Sequence, residues 1–192
     1  MHSFAMMWKK TRAAIMGLIC VIVATSPQSL CAQTLDSVTI DNAAAPALGT
    51  IVRGTVNSQF RVTANSGAIS RVSGNSQRMT AGSSVSVPTV TISCNFSLLS
   101  SRRCNNGTVM NVTIRSSATI PMAFEIGQTS GANLTWSTPV PGTNQLSFTI
   151  TFNRPQQQST TATFKLGFMV DVLANSSTGQ LSLPYTISIS RP

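Results

Sequence analysis

The sequence predicts an all-β protein, a single antiparallel β-sandwich that follows a cleaved signal peptide. Three observations carry that reading. Apolar residues recur at every second position in one stretch after another, and no 3.6-residue period is sustained after residue 33. Clusters of Gly, Asn, Ser and Pro punctuate those stretches at short intervals. The first 32 residues carry positive charge, a short apolar run and a small-residue exit, in that order.

In the leader, Lys9, Lys10 and Arg12 precede an unbroken apolar run of twelve residues, Ala13 to Ala24, and the polar stretch closes on "SLCA". A helix crossing a bilayer needs about twenty apolar residues. The run therefore reads as a secretory signal, with cleavage expected after Ala32. Residues 1–32 form the expected signal peptide and 33–192 a single domain, large enough to bury a sizeable core. The mature chain is expected to lack a transmembrane segment and to be exported to the periplasm, the cell surface or the medium. With nine arginines and one lysine against three aspartates and one glutamate, it carries a formal charge of +6.

The strands follow from period-two alternation. In "QFRVTA", Phe60, Val62 and Ala64 share a face; in "TVMNVTIRS", Met110, Val112 and Ile114 do. "QLSFTITFN" sets Leu146, Phe148, Ile150 and Phe152 against Ser147, Thr149 and Thr151. The longest example, "TATFKLGFMVDVLA", places Phe164, Leu166, Phe168, Val170 and Val172 together. "QLSLPYTISIS" reads as one closing strand with Leu181, Leu183, Tyr185, Ile187 and Ile189 on its inner face. A phase change between Val85/Val87 and Val90/Ile92 coincides with Pro88, which cannot donate to a ladder. A bulge or a bend between two sheets is expected at Val87–Thr89.

Catalytic and metal chemistry find few residues to work with. The only histidine, His2, lies in the leader. Asp36, Asp41, Glu125 and Asp171 are the only carboxylates and are scattered singly, with Glu125 and Asp171 reading as solvated strand surface. No phosphate-binding glycine loop or serine-hydrolase elbow occurs. Two mature-chain cysteines without histidine fall short of a structural zinc site, and no run of acidic residues suits calcium. The expectation is a non-enzyme with no catalytic residue, cofactor or metal. Export makes a disulfide between Cys94 and Cys104 the expected state.

The basic balance does not point to nucleic acid, because the arginines are spread through several strands and turns and the aromatics occupy apolar faces. Anionic polysaccharide, an outer-membrane surface or a further subunit suits such a charge better. Two contact candidates stand out: Arg102 and Arg103 at the tip of the loop between the cysteines, and Trp136 in the turn-rich "GANLTWSTPVPG". An exposed indole there stacks on sugar, whereas a buried one caps the sandwich. Five N-x-[ST] sequons, at Asn95, Asn106, Asn111, Asn133 and Asn175, reflect a chain rich in Asn, Ser and Thr.

"ALGTIVRGT", "SRVSGNS" and "FKLGFMVDVLANSSTGQLSLPYTISIS" together resemble a family of small secreted bacterial proteins, a domain of unknown function with a pilin-like, fimbrial-subunit-like sandwich. The resemblance covers most of residues 36–190. It implies an immunoglobulin-like, pilin-like fold in a Gram-negative bacterium and a structural or adhesive role in a fimbria or pilus. Self-assembly or docking to other surface subunits is implied as well, and no catalytic residue transfers. Subunits of that kind assemble by lending a strand to a neighbour's sheet; Thr34 to Ile40, with Val38 and Ile40 as its apolar residues, is the candidate donor. The chain differs from typical pilins in its mid-chain cysteines and in Tyr185 lying seven residues before Pro192. The alternative expectation is an extracellular carbohydrate- or matrix-binding module.

Overall fold

A computed structural model describes residues 36–41, 46–96, 104–153, 159–174 and 178–192. The expected signal peptide and the loop tip holding Arg102 and Arg103 lie outside these residues. The described chain is all-β, and its antiparallel sheets pack together as a sandwich around one apolar core.

A six-stranded sheet is organised by its longest strand, β12 (Thr160–Val172). One edge of β12 pairs with β8 (Met122–Ser130); the first half of the strand also pairs with β6 (Thr89–Cys94) and the last part with β3 (Ser58–Val62). Outside these lie β1 (Ser37–Asp41) on β6 and β4 (Ile69–Ser73) on β3. In the opposing sheet, β7 (Thr108–Ser116) lies between β11 (Gln145–Phe152) and β14 (Tyr185–Ser190). The far edge of β11 carries β10 (Val140–Gly142) and β9 (Leu134–Trp136). A three-stranded sheet joins β13 (Gly179–Ser182), β2 (Ala47–Val52) and β5 (Gln77–Arg78).

The alternating positions meet in the middle. Phe164, Leu166, Phe168 and Val170 of β12 are fully buried, as are Val112, Ile114, Ile150 and Phe152 of the facing sheet. Phe148 and Phe164 close the gap between the sheets with ring centroids 5.5 Å apart and nearly perpendicular, a favoured aromatic geometry. On the outer face of β12, Gly167 is buried where the backbone at the end of β3 and just beyond it, Val62 to Ala64, comes close. A Cβ there would lie 2.5 Å from the Ala64 nitrogen and 2.6 Å from the Val62 oxygen.

Two proline positions redirect the chain. Val85 and Val87 belong to no strand; they precede β6, and the chain turns in at Pro88. The Pro88 carbonyl still accepts from the Leu166 amide (3.0 Å), while the ring has no N–H to return the second bond of that pair. Val87 and Val90 are both buried in spite of their opposite parity, as a bend at this point requires. The closing strand is a second case, and here the expectation of one continuous strand needs correction. It divides into β13, paired to β2, and β14, paired to β7, with Leu183 buried at the crossing. Pro184 has no amide to donate. Its carbonyl accepts from Ser117 (3.1 Å) while the Leu183 amide reaches Pro46 (2.9 Å), so the two sheets share the crossing.

Candidate interaction edge and contact residues

Cys94 ends β6 and Cys104 lies just before β7, so the Cys94–Cys104 disulfide ties the six-stranded sheet to the opposing one where the chain passes between them. Both half-cystines are buried, and the Cys104 amide donates to the Asn95 carbonyl at 3.1 Å. The bridge is a staple in the core wall.

Beside it lies a polar corner that sequence reasoning missed. The Asp36 carboxylate, at the start of β1, receives Arg191 Nε on Oδ2 at 2.6 Å and Arg191 Nη2 on Oδ1 at 2.7 Å. The Asn95 amide donates to the same Oδ1 at 3.0 Å, and Arg191 Nη2 lies 3.8 Å from Cys94 Sγ. Each side chain of the ion pair is only 17% exposed. A forked guanidinium–carboxylate contact shielded to this degree is among the stronger polar interactions a surface can hold. It ties the beginning of β1 to the end of β14, two strands from opposite sheets.

From this clasp the two strands lie along one side of the sandwich, each an outer strand of its sheet among the described residues. Val38 and Ile40, the candidate donor residues, lie in β1 and pair with Ile92 and Val90 of the same chain. They are half-buried, and so are Tyr185, Ile187 and Ile189 of β14, whereas the inner rows of β7, β11 and β12 are buried. Apolar cover is thinner along this side than anywhere between the central strands.

The Tyr185 hydroxyl adds a second polar oddity to the same edge. It is buried and has no hydrogen-bond partner among the described residues, while its ring packs 5.7 Å from Phe168. Loss of hydration pushes the phenol up to about 12.

Trp136 lies in β9, its backbone paired with Ile150. The indole stacks on Phe148 at 5.9 Å and meets Phe164 edge-on at 6.0 Å, leaving the ring partly exposed over the core. The structure does not bring it together with the cysteine loop's described ends as one constellation.

The carboxylates expected on solvated surface have partners. Glu125 Oε2 holds Arg61 through Nη2 at 2.7 Å and Nε at 2.8 Å, and Asp171 Oδ1 accepts from Gln59 at 2.8 Å. Each is a cross-strand contact on the outer face of the six-stranded sheet. Among the described residues, no three His, Cys, Asp or Glu side chains gather as a metal site would need, and no helix is long and apolar enough to cross a membrane. No family model matches the chain, and neither a curated protein nor a solved structure is detectably similar to it.

Proposed function

We propose that the chain is a non-catalytic, exported subunit that builds or decorates a bacterial surface appendage of the fimbrial or pilus kind. The observation that carries this reading is the side of the sandwich where β1 and β14 lie as outer strands, each paired along one edge only among the described residues, with half-buried apolar rows. Exposed strand edges are sites where another chain adds a strand, and proteins that do not use them usually block them with charge, proline or cover. The outer residues of β14, Thr186, Ser188 and Ser190, are uncharged, and β14 contains no proline. A leader of secretory type and the scarcity of catalytic groups agree with such a role.

In this reading β1 is the exchangeable element, seated on its own β6 in the isolated chain and on a neighbour's β6 in the assembly. A cross-strand cysteine pair tests it. Thr39 lies opposite Thr91, so Thr39→Cys with Thr91→Cys reports which chain supplies β1. Producing cells should yield a disulfide-linked ladder on non-reducing gels, and antibody labelling should decorate filaments that vanish when the gene is removed. Closed monomers alone, with appendages unchanged by gene loss, would overturn the proposal.

A further inference from the structure

A polar cleft of about 480 Å³ opens where β4 passes from the six-stranded sheet to β5 of the three-stranded sheet. Phe60, Ile69 and the buried Ser76 line its inside, and its rim combines Arg71 and Arg78 with Gln77, Thr80 and Ser83. We infer that this cleft binds a carboxylate-bearing saccharide, with Arg71 and Arg78 gripping the acid group and the rim hydroxyls and amide meeting the sugar hydroxyls.

Two guanidinium groups face one cleft, and among the described residues no carboxylate offsets their charge. It contains only four carboxylates. Asp36 is held by Arg191, Glu125 by Arg61 and Asp171 by Gln59, while Asp41 lies in β1. Among the described residues no acidic side chain pairs with Arg71 or Arg78.

The arginines are also held in place by their own backbone contacts. Arg78 donates through Nε to the Leu48 carbonyl and through Nη1 to the Thr80 (3.1 Å) and Gly82 carbonyls, which fixes the group and leaves Nη2 to face a ligand. Arg71 donates through Nη1 to the Ser76 carbonyl at 2.9 Å. Ser76 is itself buried, its amide on Ser58 Oγ at 2.9 Å and its Oγ on the Gly54 amide at 3.0 Å. In both side chains Nη2 has no acceptor among the described residues. Arg71 thus keeps Nε and Nη2 as a parallel pair for two-point recognition of a carboxylate, and Arg78 adds single N–H donors from Nη2.

The rest of the lining selects the class. The volume falls in the range of small-ligand sites. Uncharged hydroxyl and amide groups dominate the rim, and the apolar floor is small, as a hydroxyl-rich ring with one apolar face requires. Nucleic acid would need a stripe of phosphate contacts and aromatic platforms, and the cleft has two arginines and a buried Phe60. This inference does not rest on assembly through β1, and its test is read on the purified chain alone.

The probe is oligogalacturonate, with its fully methyl-esterified form as the uncharged match, titrated calorimetrically into the chain expressed with its native N-terminus. Binding of the acid form only is expected. Arg71→Gln should weaken it about tenfold or more, the loss of one charge-assisted fork. Ser83→Glu, at an exposed rim position, should abolish it without touching either arginine. Arg115→Gln, which removes the same charge from the exposed end of β7, should bind like the parent chain. Absence of binding by the parent, equal binding of the ester, or an Arg115→Gln loss as large as that of Arg71→Gln would overturn the inference. Poly-glutamate binding with the same Arg71 dependence would replace the saccharide with an acidic peptide.

Discussion

Tyr185 shows how far one side chain can depart from its surroundings. Its ring belongs with Phe168 at the sandwich edge, but its hydroxyl is buried without a partner among the described residues. Leaving a buried donor unpaired costs about 1–3 kcal/mol, so Tyr185→Phe is expected to raise unfolding stability by about 1 kcal/mol in urea titrations. The alkaline behaviour has a definite sign. A free phenol ionises near 10 and this one near 12, so the folded state keeps its proton longer than the unfolded chain. Stability attached to this group is complete below pH 10 and is lost as pH climbs through 12. The chain has a single tyrosine, so absorbance titration of its phenolate reads this group alone. A midpoint near 10, or an alkaline decline unchanged in Tyr185→Phe, would contradict the burial argument.

At the level of elements, the clasp between β1 and β14 makes a sharper demand. Removing Arg191 leaves Asp36 shielded and short of its main partner. Arg191→Gln is expected to cost about 1–3 kcal/mol, and Asp36→Asn a similar amount. Because each change destroys the same contact, the double variant should lose clearly less than the sum, read from denaturation midpoints. Strict additivity would show that the pair holds nothing together. The elements also mark where the sequence was readable. Strands β7, β11 and β12 were legible because each buries one face against the core, and alternation records a face. The division of "QLSLPYTISIS" was not, because Leu181, Leu183, Tyr185 and Ile187 keep one phase across Pro184. Alternation says which side of a strand is buried and nothing about which sheet the strand joins. Clasp and cleft were hidden for another reason. Asp36 and Arg191 are 155 residues apart, and Arg71 and Arg78 looked like two more members of a scattered basic set. Scarcity was the one available signal: with four carboxylates in the chain, each is worth following to its partner.

For the whole molecule, the disulfide and the two packed sheets act as one unit. Closing an eleven-residue segment restricts the unfolded chain and stabilises the fold by about 2.5–3 kcal/mol in the chain-entropy view. In a domain of this size that corresponds to a melting point lower by about 5–10 °C when both cysteines become serine. Scanning calorimetry of Cys94→Ser/Cys104→Ser measures it, and an unchanged midpoint would deny the bridge a structural role. The location predicts more than a number. Since the bond links the end of β6 to the segment that leads into β7, its loss should also loosen the adjoining corner, with faster amide exchange at Asn95 and Cys104 than at the centre of β12.

The distance along the chain between Asp36 and Arg191 also sets an order of events in time. A polypeptide delivered N-terminus first must present the whole run from β1 to β14 before the latch can close. Throughout that interval β1 has been made but its anchor has not, and contacts of such long sequence separation form slowly. The interval before β14 is made is therefore the window in which another chain can compete for the first strand, and closure of the Asp36–Arg191 pair ends it.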